Sequence, residues 1–198
     1  MRGPHPARPA IARSFVARKL AALKRDDNGF TAVEFAMVIG PFLALLFAIM
    51  EVALLYFGTF SVENAMEQAA RKIRTGEAQT AGFNTSDFKD EVCSKLPAFM
   101  DCDSRLFVDV RSFDDFASAA AVPLNPIDDE GEFRPGSQNF SMGDGSEVVL
   151  VTVYYNWQLF ASFPNLGLGL GNVKAGRHQG NRVIIASTAF RNEPFSAD

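Results

Sequence analysis

The chain is short of the residues that usually carry chemistry. Among 198 residues it has two histidines, His5 and His178, two cysteines and one tryptophan. Cys93 and Cys102, with so few histidines available, do not make a zinc pattern. His178 sits in Gly-Arg-His-Gln-Gly, with no Gly-x-Ser-x-Gly elbow to pair with, and reads as a solvated loop side chain. Gly167-x-Gly169-x-Gly171 lacks the strand–turn–helix context of a phosphate loop. Asp114 and Asp115 are neighbours whose side chains point apart. Asp128, Asp129, Glu130 and Glu132 cluster without the EF-hand spacing, which leaves a solvated acidic loop as the better reading and calcium as the alternative. No catalytic residue, metal, cofactor or small-molecule substrate is expected.

Positive charge is scarce after the first 29 residues. Arg2, Arg8, Arg13, Arg18, Lys19, Lys24 and Arg25 stand there against Asp26 and Asp27, leaving 12 basic and 21 acidic residues from position 30 onward. An acidic remainder of that size makes a poor nucleic-acid binder, because phosphate contacts need clustered Lys and Arg. The two cysteines fall in the acidic part. In an oxidising compartment they are expected to pair, which closes a short loop and stabilises by about 2–3 kcal/mol in the chain-entropy model. Two unpaired buried thiols are the alternative.

What the chain does have is one long apolar run. No charge interrupts residues 35–50, and the run resumes from Val52 to Phe60. Crossing a bilayer takes about 20 helical residues, so residues 30–58 span only if Glu34 and Glu51 lie near the two interfaces. Their separation of 17 residues is roughly 25 Å along a helix, close to the thickness of the hydrocarbon core. The basic start before the run places the N-terminus in the cytoplasm and residues from about 60 onward outside. No small-x-small site closes the run, so it is not a common cleavable secretion signal. A mitochondrial presequence is the rival reading of the acid-free residues 1–25.

The helix is expected to continue past the membrane. Leu55, Thr59, Val62, Met66, Ala69 and Ile73 recur at spacings of four and three, with Glu63, Glu67, Gln68, Arg71 and Lys72 off that stripe. Arg71, Lys72 and Arg74 suit the negative end of the helix dipole, and Gly76 suits its cap. Pro41, after Gly40, predicts a kink or local unwinding. Residues 77–84 read as a loop, followed by a short helix capped by Thr85 or Ser86 and ending near Leu96-Pro97. Residues 105–113 alternate as a half-exposed strand, and 123–146 read as a long loop. Residues 147–157 are β-branched and aromatic on both faces, as in a central strand, and residues 182–191 make another. A charge-free stretch from Val148 to Val173 is too rich in Gly, Asn and Pro for a second span. Its loop, Leu159 to Leu170, either covers the sheet or forms an exposed contact patch. All strands follow the long helix, so the fold class is α+β, with a small antiparallel sheet against that helix.

The junction of leader and apolar run is the most specific feature. Gly29-Phe30-Thr31-Ala32-Val33-Glu34-Phe35 resembles the processing site of type IV prepilins, and most closely the Tad/Flp subclass. The later pieces Val92-Cys93-Ser94-Lys95-Leu96-Pro97 with Cys102, Val108-Asp109-Val110, Tyr154-Tyr155-Asn156-Trp157 and Ala189-Phe190-Arg191-Asn192-Glu193-Pro194-Phe195 look like TadE-like pseudopilins. The resemblance covers roughly residues 26–196. It departs from the pattern in its long, proline-rich leader, and a chain longer than a major Flp pilin points to a minor component.

The resemblance implies a pilin-like protein of the bacterial inner membrane that assembles a Tad-type adhesive pilus. A prepilin peptidase would cut after Gly29, releasing the cytoplasmic leader 1–29 and leaving Phe30 as the new N-terminus. Other pilins or pseudopilins and the pilus platform would be its partners. Glu34, beside Phe35, would face the α-amine of a neighbour's Phe30 and set axial register. An ionised carboxylate at a bilayer centre costs about 2.5–3.5 kcal/mol, so such a residue rarely lies there without a use. The plainer reading of Glu34 is an interfacial carboxylate reaching into headgroups. The alternative for the whole chain is an uncleaved, signal-anchored periplasmic binding or envelope-assembly protein.

Overall fold

The computed structural model describes residues 28–135, 139–159, 170–174, 176–177 and 179–195, with side chains from residue 31. By packing, the chain divides into two units, Met1–Phe47 and Ala48–Asp198. Helix α1, Asn28–Arg74, runs through the division as one 47-residue element. The local unwinding expected at Pro41 does not interrupt it.

In the second unit α1 is amphipathic. Val62, Ala65, Met66, Ala69, Ala70 and Ile73 are buried on one face, and Glu63, Glu67, Gln68 and Arg71 are exposed on the other. The spacing of four, three and one is that of a single helical stripe. Three alanines on that stripe allow α1 close to what it covers. Glu51 is 5% exposed within the second unit.

The sheet that α1 covers has three antiparallel strands in the order β1-β2-β3: β1 Leu106–Phe113, β2 Val148–Trp157 and β3 Arg182–Arg191. All ten residues of β2 are buried, as expected of a central strand apolar on both faces. Leu106, Val108, Val110, Val149, Val151, Val153, Tyr155, Trp157, Ile184 and Ala186 face the main core with α1. The opposite face is covered by Phe133 and Val173 around Tyr154, and by Ala119 around Val148 and Leu150. The edge of β1 is partly closed by residues 139–141: the Val110 N–H donates to Asn139 O (2.9 Å) and the Ser141 N–H to Val110 O (2.8 Å).

Three short helices complete the unit. Residues 77–84, read as loop in the sequence, hold α2, Glu77–Thr80; α4, Phe116–Ala120, lies between the residues read as strand and those read as long loop. Both are single turns with too little periodicity to register as a pattern. Helix α3, Thr85–Lys95, is capped by Asn84 rather than Thr85 or Ser86. The Asn84 side chain accepts from the Ser86 and Asp87 N–H groups at 2.8 and 3.2 Å, and Asp87 accepts from the Asn84 N–H at 2.9 Å. This reciprocal box satisfies donors that the first turn cannot satisfy itself. Asn84→Ala is expected to lower stability by about 1 kcal/mol in urea unfolding at unchanged m-value.

The C-terminal segment closes α1. Gly76 adopts φ 80°, the left-handed conformation that ends helices, and its N–H donates to Ile73 O at 3.1 Å. A Cβ at Gly76 would lie 2.7 Å from the Phe195 ring. The Glu193 N–H donates to Arg74 O at 2.8 Å, taking up a carbonyl at the end of α1. Asn192 is buried and its amide donates to the Met142 and Asp144 carbonyls at 2.9 and 3.0 Å.

Candidate processing and assembly segment

The first half of α1 is helical from Asn28, so Gly29 and Phe30 lie in its first turn. No acid occupies that turn, where the helix dipole would favour one. Glu34 follows, exposed and with no ion-pair partner among the described residues. Phe35 is 65% exposed, and Met37, Val38, Phe42, Leu45, Phe47 and Ile49 are exposed as well. A helix apolar around its whole circumference and uncovered by its own chain needs an apolar surrounding. Among the described residues, α1 is one helix long and apolar enough to cross a membrane.

Cys93 at the end of α3 and Cys102 are joined as a disulfide, with Cα atoms 5.9 Å apart. It closes a stretch containing Pro97 and Phe99. Phe99 is exposed and stacks on Phe57 of α1, ring centroids 6.1 Å apart.

The Tyr154-Tyr155-Asn156-Trp157 segment is structural. Alternation along β2 sends Tyr155 and Trp157 towards the main core and Tyr154 into the cluster on the other face. Burial raises both tyrosine pKa values, with the Asp109 carboxylate adding to the effect at Tyr154. Asn156 is buried and accepts from the Asn181 amide at 3.0 Å. Trp157 lies against Gly58 of α1, where a Cβ would come within 2.6 Å of the indole.

Val108-Asp109-Val110 places a charge inside the fold. Asp109 is 5% exposed and is paired with Arg111 Nη2 at 2.8 Å. Arg111 Nε and the Asn139 N–H also donate to it, at 3.2 and 3.0 Å.

The other polar clusters of the sequence do not converge. Asp115 is the N-cap of α4, accepting from the Ser118 N–H at 2.7 Å, a bond that lowers its pKa. Arg134 pairs with Asp128 at 2.9 Å and Glu132 at 3.0 Å, so the acidic loop carries its own cation. Among the described residues no three His, Cys, Asp or Glu side chains are grouped to hold a metal. His178 and the apolar stretch 160–169 lie outside the described residues.

Sequence reasoning missed the Asn84 cap, the Asp109–Arg111 pair, the Gly58–Trp157 contact and the Phe57–Phe99 stack. Asn84-x-x-Asp87 was legible as a capping signal; the other three join residues distant in sequence or offer no pattern.

These features define a class: an α+β protein whose long N-terminal helix is apolar and bare in its first half and packed on a three-stranded antiparallel sheet in its second. Residues 29–71 of this chain match the family model of TadE-like protein. The matched segment begins at Gly29 and includes Phe30, Glu34 and Phe35. No curated protein and no solved structure matches the chain.

Proposed function

We propose that this protein is a minor pseudopilin of a Tad-type adhesive pilus, held in the bacterial inner membrane by α1 and trimmed after Gly29. The observation that carries the reading is the TadE-like match, which starts at that glycine and spans the bare apolar half of α1. In this scheme residues 1–29 are a cytoplasmic leader, 30–58 the membrane segment and 59–198 the periplasmic part. A prepilin peptidase reads Gly29, whose lack of a side chain lets the backbone approach closely. Cleavage gives Phe30 a free α-amine. Glu34 of one subunit then meets the amine of the next. In the low dielectric between packed helices the pair compensates a carboxylate that lipid alone would penalise, and it fixes the axial offset between subunits. The chain acts as a structural component, with other pilins or pseudopilins and the pilus platform as partners.

Intact-mass measurement on membrane-extracted protein tests this. A species beginning at Phe30 is expected, and Gly29→Leu is expected to leave only the untrimmed chain. Normal trimming of Gly29→Leu would move the cleavage site elsewhere. Persistent full-length wild-type protein in cells with a competent peptidase would favour the permanently anchored alternative.

A further inference from the structure

We propose that Tyr56, Phe57, Phe60 and Phe99 form a docking surface for the interfacial layer of a phospholipid bilayer, with Arg105 and Trp157 at its polar margin. The inference rests on α1 being a membrane helix and adds a second contact, from the disulfide-closed stretch after α3.

Phe99 is 64% exposed, yet its ring is stacked on Phe57 rather than turned into the core. Tyr56 and Phe60 are exposed on the same part of α1. Seven-residue spacing puts Ile49 on the face of Tyr56, and Phe60 lies one turn further along. One turn beyond Phe60 this face turns acidic, with Glu63 and Glu67 exposed. A change from aliphatic to aromatic to charged within about four turns is the composition profile of a membrane–water boundary.

The margin of the patch has matching chemistry. Phe99, Arg105, Tyr155 and Trp157 line a cavity of about 180 Å3. Trp157 is 5% exposed and its Nε1–H has no hydrogen-bond partner among the described residues. Arg105 is held at the rim by Gln158 Oε1 at 2.7 Å and by the Asp101 carboxylate at 3.6 Å. A guanidinium at the rim of this cavity, beside exposed phenyl rings, suits the phosphate oxygens of a headgroup next to its acyl chain. A second copy is a poorer occupant. Copies anchored side by side in one membrane and meeting through this face would bring Glu63 and Glu67 against their own counterparts.

The test uses the full chain in phosphatidylethanolamine–phosphatidylglycerol vesicles, with the photoreactive residue benzoylphenylalanine placed singly at positions 42, 99 and 116. Phe116 is exposed on α4 and serves as the water-facing reference. Retention of the Cys93–Cys102 bond on a non-reducing gel confirms folding of each variant. Irradiation is expected to give lipid-mass adducts at positions 42 and 99 and none at 116. Lipid adducts at 42 with none at 99, or with chain-to-chain adducts at 99, would overturn the docking surface while leaving the membrane helix standing. Absence of lipid adducts at 42 would overturn both.

Discussion

Glu34→Ala is expected to leave membrane insertion and trimming intact and to abolish pilus assembly. Removing a carboxylate from the mouth of an apolar helix lowers the cost of insertion, so loss of protein from the membrane is not anticipated. The proposed peptidase site, Gly29-Phe30, is untouched. What disappears in the proposed scheme is the partner of the new α-amine, which would leave an uncompensated cation between packed helices. Intact mass would show the trimmed chain, and electron microscopy would show cells without pili. Glu34→Gln sharpens the result, since it keeps the shape and hydrogen-bonding capacity but not the charge. Failure of both variants supports charge pairing; rescue by glutamine would reassign Glu34 to packing. Normal pili in Glu34→Ala would refute the register role.

The second large effect concerns the fold. Arg111→Leu is expected to destabilise the protein by about 3 kcal/mol, the low end of the range for breaking a buried ion pair. The low end applies because Arg111 is one-third exposed and the Asn139 N–H still bonds Asp109 when the guanidinium is gone. The double variant Asp109→Leu with Arg111→Leu should recover a large part of that loss, because two apolar side chains leave no buried charge unpaired. Urea unfolding of the two single variants and the double variant reads out the coupling. Equal stability of Arg111→Leu and wild type would mean that water solvates Asp109 and that the pair contributes nothing.

Helix α1 and the three strands were legible in the sequence because each repeats its pattern over many residues. The stripe Val62, Met66, Ala69, Ile73 spans three turns, and β2 is apolar for nearly its whole length. The passage of α1 through Pro41 as one helical element shows that the loss of one hydrogen bond does not end a long helix. The burial of Glu51 was not legible, since spacing along one helix says nothing of what the rest of the unit brings against it. The single-turn helices α2 and α4 rest on local hydrogen bonds, such as those of Asp115, that carry no periodic signal. In the candidate segment, the residue pattern from Gly29 to Phe35 located the feature that the family match also includes. The aromatic surface around Phe99 was invisible, since its position opposite Phe57 is set by the path between α3 and β1.

The engagement of Glu193 and Phe195 with Arg74 and Gly76 has a bearing on biogenesis. A ribosome releases the end of α1 more than a hundred residues before the groups that seal it. Strand β2 likewise waits for β3 before its second edge is satisfied. The unit therefore completes only once residues 182–195 have been delivered, so its closure lags far behind the synthesis of α1.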